Sequence, residues 1–524
     1  WERTKTEVKG LHQRIFFRPL LSAVARLEDT TLALTDEQAI DRLGAIGFLD
    51  PRGALVHIRA LTTGLSRRAA IQKQLLPVLI EWFARGTDPD SALLAFRRLS
   101  EDLGESPWYL RMLRDASGAA ERMTEVLSNS RLATELFEKI PEAAAWFERV
   151  EDLQPMTGEE LETEFQAIVE RHNDLSTIAA AARHVRRRET LRVAMGAVLD
   201  VLTIDDVATG LTAITEQYLR GLLLAVRSNS SERIDGHRLA TAVDFAVIAM
   251  GRFGGAELGF GSDADVMFVY RAHEGVSPEV AQKAAERIVQ ELREVTTDHR
   301  LAFELDLDLR PEGKKGAIVR SLDSYAAYYE RWSDSWESQA LLRARAIAGS
   351  PQLIEEFEKL INKYRYPTKA DPKDVMEIRR IKARVETERL PQGADPRRHL
   401  KLGRGSLSDV EWLVQLLQFQ HGGEHPSIRT PRTLEALRAC VTEGLITEPD
   451  ANVLEAAWVL TSRIRSAAVL WTNKQSDVLP IDRRQLEGIA RILNYPNFSA
   501  TQVEQDYLAA TRRARGVFER LFFG

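Results

Sequence analysis

Only one cysteine, Cys440, occurs in 524 residues. A single thiol excludes an intrachain disulfide framework and any multi-cysteine zinc site, and it suits a reducing cytoplasm. Long apolar runs are also missing. None approaches the ~20 residues a membrane span requires, and the charged opening WERTKTEVKG is not a secretory leader. Nor is there a surplus of positive charge: 71 Lys and Arg face 77 Asp and Glu, net −6. That balance argues against broad affinity for nucleic acid or acidic membranes, although a local patch remains compatible with it. The 10 histidines are scattered, with no H-E-x-x-H among them. There is no G-x-S-x-G elbow, and no glycine-rich loop ends in G-K-[ST]. The first residue is Trp1 in place of Met, so the chain is expected to be a piece of a longer protein.

What is present is 44% hydrophobic residues, ample for sizeable cores. At roughly 100–200 residues per domain, the length points to about three domains. Residues 1–150 read as helices: FFRPLLSAVARL, IQKQLLPVLIEWFARG and SALLAFRRLSEDLG place apolar residues three and four apart. A boundary is expected at QPMTGEELE. The long helix LSTIAAAARHVRRRETLRVAMGAVLDVL follows, with Arg186, Arg187 and Arg188 read as a solvated face and phosphate contact as the alternative. Another helix is expected near 206–227. The period then changes. TAVDFAVIAMG and DVMFVYRA read as strands, PEVAQKAAERIVQELREV as an amphipathic helix with Pro278 in its first turn, LAFELDLDLRP as a strictly alternating strand, and GAIVRS as one more. After Pro351 the pattern is helical to the end. The expected fold is mostly α with a central α/β core: a helical region over 1–150, the core over 151–350 and a C-terminal helical bundle over 351–524.

The chemistry concentrates in GRFGGAELGFGSDADVMFVY, residues 251–270. Glycines without a Cβ let backbone N–H groups approach an anion, and a short helix expected over AELGF would aim its positive end at the same place. Asp263 and Asp265, two apart on a strand, point to one face. On the second acidic strand Glu304, Asp306, Asp308 and Arg310 share a face, with the leucines between them on the other. If the two strands are neighbours, three to five carboxylates converge. Like charges that close repel or raise one another's pKa, and a divalent cation removes the conflict. Oxygen-only ligands suit Mg²⁺ or Mn²⁺, and such a cluster beside an anion cradle is what two-metal phosphoryl chemistry requires.

GGAELGFGSDADVMFVY, LDLDLRPEG, WESQALLRARAIAG and RGSLSDVEWLVQ, in this order, resemble the nucleotidyltransferase core of the DNA polymerase beta superfamily and, more closely, the glutamine synthetase adenylyltransferase family. The resemblance covers about residues 100 to 440. It implies transfer of AMP from ATP to a tyrosine of glutamine synthetase. Asp263, Asp265 and Asp306 would be the metal-binding and catalytic carboxylates, and Asp306 would also help deprotonate the nucleophile. Gly254, Gly255 and Ser262 would hold the triphosphate. Asp308 stands where the family often has arginine, so Asp306, Asp308 and Glu304 all remain open as third ligand, with the motif favouring Asp306. Arg310 falls on the arginine of LRP. Arg343 and Arg345, read on a helix, and Lys314 and Lys315 are candidate phosphate contacts. Trp332, Trp336 and Ala340, four apart, read as core, and Ser406 with Asp409 reads as a capping box; Lys401, Asp409 and Glu411 match the downstream motif. The family joins an attaching and a removing half, and the match favours the attaching, C-terminal half. The alternatives are the adenylyl-removing half, a non-catalytic helical module binding a PII-type signal protein, or a nucleotidyltransferase acting on RNA or an antibiotic. The expected partners are glutamine synthetase and ATP, with neither nucleic acid nor membrane.

Overall fold

The computed structural model describes residues 35–63, 67–115, 117–229 and 233–524. The helix expected at FFRPLLSAVARL lies outside them. Helices carry most of the chain. In the N-terminal part, helices from Asp36–Ile46 to Arg131–Phe137 alternate apolar and charged faces, and several begin on a side-chain cap: Thr35 with Gln38 forms a capping box, and Asp50 and Asp88 accept the amides of Gly53 and Ser91. Two long helices follow, α1 (Leu175–Val198) and α2 (Ile204–Asn229), packed along each other.

A two-residue hairpin, β1 (Arg233–Ile234) and β2 (His237–Arg238), precedes the main sheet. The sheet's centre is β3 (Val243–Ala249) antiparallel to β4 (Ala264–Ala272). Helix α3 (Pro278–Thr296) crosses over, and β5 (Leu305–Asp306) then pairs parallel to the start of β4, while β6 (Arg320–Ser321) pairs with its far end. The short helix α4 (Ser335–Leu341) leads into β7 (Arg345–Gly349), antiparallel to β3, which gives the order β5-β4-β3-β7. The central strands read as near-continuous apolar runs because both faces are covered. Phe245, Val247, Val266 and Phe268 enter one core, whereas Ala246, Ile248, Met267 and Val269 enter another with Tyr325, Tyr329 and Phe357.

LAFELDLDLRP is not the full strand its alternation predicts. Only Leu305 and Asp306 pair, and the chain then turns, with the Asp308 amide bonded to Asp306 Oδ1 at 2.7 Å. Nor do Arg186, Arg187 and Arg188 form a solvated face. Arg186 is buried over Phe303 and donates to the Leu301 and Ala302 carbonyls, Arg187 forks onto Asp298 at 2.6 and 2.8 Å, and Arg188 pairs with Glu164. Arg186 and Arg187 fasten α1 to the segment that delivers β5, and Arg188 ties α1 to the helix Gly158–Arg171.

The C-terminal part is helical: α5 (Pro372–Glu388), α6 (Leu407–His421), α7 (Glu448–Thr472) and α8 (Ala500–Phe518), among others. It is not walled off from the rest. The largest core is continuous from Ala39 to Tyr507, and Ser130 Oγ donates to the Leu470 carbonyl on α7, so apolar packing crosses both expected domain boundaries. No helix among the described residues is long and apolar enough to cross a membrane.

Candidate active site

After β3 the Met250 amide donates to the Asp265 carbonyl at 2.8 Å, and the chain turns at Gly251, φ +52°. A Cβ there would also collide with the Asp265 carboxylate, so glycine is required twice over. Asp263 and Asp265 project to one side at the mouth of β4. The Ala264 amide donates to Glu304 O at 3.0 Å, and Asp265 stands in register with Asp306. Carboxylates from two strands are thereby placed side by side. Burial raises the Asp265 carboxyl, and Asp306 and Asp263 add to the rise, bringing it to about 7 against an opposing pull from Lys401. Asp263 is likewise raised by burial and then by Asp306. Among the described residues no three His, Cys, Asp or Glu side chains form a preformed metal cage. The donor set still fits a hard divalent cation: oxygen only, partly open to solvent, and in mutual repulsion that a cation relieves. Side-chain rotation is what closure around an ion would need. Asp308 points elsewhere, to Lys314 Nζ at 3.1 Å.

The turn is built differently from its reading as an anion cradle. The helix is Gly251–Gly254, not AELGF. The Gly254 and Gly255 amides donate to Met250 O and Gly251 O, at 2.7 and 3.1 Å, and so are spent inside the turn. A Cβ at Gly254 would strike the Arg343 carbonyl, and one at Gly255 the Arg343 guanidinium; close packing, not phosphate, explains the pair here. The Ser262 hydroxyl accepts the Gly259 amide at 3.0 Å and keeps its own proton to donate. Arg343 and Arg345 do not share a helix, because α4 ends at Leu341 and β7 starts at Arg345. Arg343 is buried, paired with Glu257 and bonded to Thr433 Oγ1 at 3.2 Å. Arg345 pairs with Glu216 at 2.7 Å and donates to Gly254 O. Arg310 is buried too and donates to the carbonyls of Leu307, Lys314 and Gly316 at 2.6–3.0 Å, clamping its own loop. Trp332 is 72% exposed, not core. It lies beyond one helix, and Asp334 with Glu337 caps the next, so the spacing of four spans a break. Ser406 makes no side-chain cap; Asp409 accepts the Gly405 amide instead, at 2.6 Å.

Residues 120–360 match glutamate-ammonia ligase adenylyltransferases, and residues 378–522 match GlnD PII-uridylyltransferase. The whole chain is similar to proteins named bifunctional glutamine synthetase adenylyltransferase/adenylyl-removing enzyme. It is 57% identical over 530 residues to that of Leifsonia xyli, 46% over 546 to that of Streptomyces avermitilis and 41% over 526 to that of Cutibacterium acnes. Each alignment covers 100% of this chain. The chain belongs to the glutamate-ammonia ligase adenylyltransferase family. It spans about half the length of these curated relatives, 52–54%.

In this adenylyltransferase-family chain the C-terminal helices complete the site, which sequence reasoning underweighted. Lys401, in the loop before α6, opposes the rise of the Asp263 and Asp265 carboxyls through its charge. Gln475 donates its side-chain amide to Gly261 O. Glu257 accepts the Thr433 amide at 2.5 Å as well as Arg343. Arg252 lies partly buried between Trp458 and Glu411, and desolvation lowers its guanidinium to about 10. The signals were there in RGSLSDVEW and in the lone Glu257 of GGAEL, but nothing local says they meet. A cavity of about 580 Å³ opens beside the carboxylates, bounded by Phe260, Ser262, Asp263, Phe303, Glu304 and Gln475. That is the size of a small organic ligand site.

Proposed function

We propose that this chain transfers AMP from ATP to a tyrosine hydroxyl of glutamine synthetase, releasing pyrophosphate, and that its sheet is a nucleotidyltransferase core of the DNA polymerase beta type. The observation that carries the reading is the register of Asp265 with Asp306 on neighbouring strands, beside Asp263, which precedes β4 and lines the cavity. Asp263, Asp265 and Asp306 would hold Mg²⁺ or Mn²⁺, which when bound supplies charge neutralisation for the triphosphate and a lowered pKa for the attacking hydroxyl. The phenolic oxygen attacks the α-phosphorus, the bond to the bridging oxygen breaks, and pyrophosphate leaves. A free tyrosine has a pKa near 10, so the proton needs an acceptor, and Asp306 is the carboxylate assigned to take it. Ser262 donates its hydroxyl proton to a phosphate oxygen. Positioning and charge stabilisation do the rest, with no covalent intermediate.

The relatives' shared name includes adenylyl removal, and one carboxylate set serves both directions of phosphoryl chemistry. We assign the attaching half on the likeness of ELGFGSDAD and of the C-terminal helices. The match of 378–522 to a PII-uridylyltransferase supports a regulatory role for those helices toward a PII-type signal protein. Incubation with glutamine synthetase and ATP labelled in the α-phosphate tests the proposal. Label on the synthetase supports attachment; phosphate-dependent ADP release from modified synthetase transfers the assignment to removal; neither result refutes both.

A further inference from the structure

The loop KLGRGS, residues 401–406, is built with more care than a connection needs. His399 Nδ1 accepts the amides of Lys401 and Leu402, at 3.3 and 3.0 Å. A Cβ at Gly403 would strike the His399 carbonyl, and one at Gly405, φ +74°, the Thr511 carbonyl. Fully buried Asp409 holds the Gly405 amide and pairs with Lys382 at 2.6 Å and Arg515 at 2.9 Å. The loop is then stapled toward the carboxylates. Leu400 N donates to Asp477 O at 2.7 Å, His399 bridges Val478, and Gln475 in the same segment is bonded to Gly261, two residues before Asp263. Two side chains of this rigid construction are exposed, Lys401 and Arg404, and neither has a side-chain hydrogen bond or ion pair with another described residue; Lys401 is the one that adjoins Leu400, the residue bonded to the Asp477 segment. Asp477, an acid on the neighbouring segment, is already held by Arg465 at 2.6 Å.

Of the cations expected at phosphate, four are committed: Arg310 to its loop, Arg343 to Glu257, Arg345 to Glu216 and Lys314 to Asp308, while Lys315 is exposed on the loop between β5 and β6. A triphosphate brought to three aspartates adds negative charge to negative charge and needs a protein cation opposite them. We propose that Lys401 is that cation, its ammonium meeting the β- and γ-phosphates of the nucleoside triphosphate from the loop before α6. This rests on the nucleotidyl-transfer reading above. The pull of Lys401 on both Asp263 and Asp265, opposing the rise that burial imposes, agrees with its position.

Calorimetric titration of the full chain with Mn²⁺ and a non-hydrolysable α,β-methylene ATP, and separately with AMP, tests it in the wild type, Lys401→Ala and Lys401→Arg. The expected result is about tenfold or greater loss of ATP-analogue affinity in Lys401→Ala, roughly 1.4 kcal/mol or more. AMP binding and melting temperature should be unchanged, and Lys401→Arg should recover most of the loss. Unchanged analogue binding, or equal loss for AMP and the analogue, overturns the assignment. Failure of the wild type to bind the analogue refutes nucleotidyl transfer itself, and this inference with it.

Discussion

Asp265 carries the sharpest residue-scale consequence. Its folded pKa is about 7, against an unperturbed ~3.9 for aspartate. Between those values the folded chain holds a proton that the unfolded chain has lost, so the group's contribution to stability is complete below ~4 and is lost as pH rises through 7. Asp265→Asn should therefore stabilise the chain at pH 8 by about 1–2 kcal/mol relative to wild type, with little difference near pH 4, measured by urea denaturation across the range, while abolishing AMP transfer. Metal and proton compete for the same oxygens, so the rise in melting temperature on adding Mn²⁺ should grow from pH 6 to pH 8. The same-face pair in SDAD was legible because period two is a local fact, whereas the pairing of β5 beside β4, which brings Asp306 to it across the intervening helix α3, stood in the sequence only as a condition. The roles of Arg310 and Arg343 were not legible, since an arginine beside a motif looks the same whether it meets phosphate or three backbone carbonyls.

At the scale of elements, loops beside the sheet are held by side chains more than by strand pairing. Arg310→Ala would strip the carbonyls of Leu307, Lys314 and Gly316 of their buried donor, at a cost of about 2–4 kcal/mol. Chemical denaturation should show that loss, and hydrogen exchange should place the lost protection in 307–316. Gly254→Ala is expected to be worse than Gly255→Ala. The first meets backbone and has nowhere to go, whereas the second meets the end of a guanidinium that can move. Soluble yield and melting temperature of the two variants check the order. The long helices were read well because many turns of a 3.6-residue period outweigh local exceptions, while the short ones at AELGF and around Arg343 were not. LAFELDLDLRP misled because alternation reports which faces are apolar, and it does so equally for a two-residue bridge followed by a turn.

Across the whole molecule, the seam between the sheet and the C-terminal helices is a buried charge network: Arg343 with Glu257, Glu257 with the Thr433 amide, and Glu411 within 3.7 Å of Arg343 and 4.0 Å of Arg252. Removing one partner leaves the other charged and dry, so Glu257→Ala should cost about 3–5 kcal/mol by urea denaturation, and pairing it with Arg343→Met should recover part of that. No sequence pattern announces such a seam, because its members lie 86 and 176 positions apart. Its presence bears on how the protein can be dissected. The stretch matching the adenylyltransferase family, 120–360, looks like a natural unit to clone. Expressed alone it would forfeit the hydroxyl and amide that quench Glu257, the glutamine that seats Gly261 and the lysine proposed to meet the phosphates, while laying bare the apolar flank that α7 covers. Such a truncation should precipitate, and only a boundary drawn beyond α8 should yield a working catalyst.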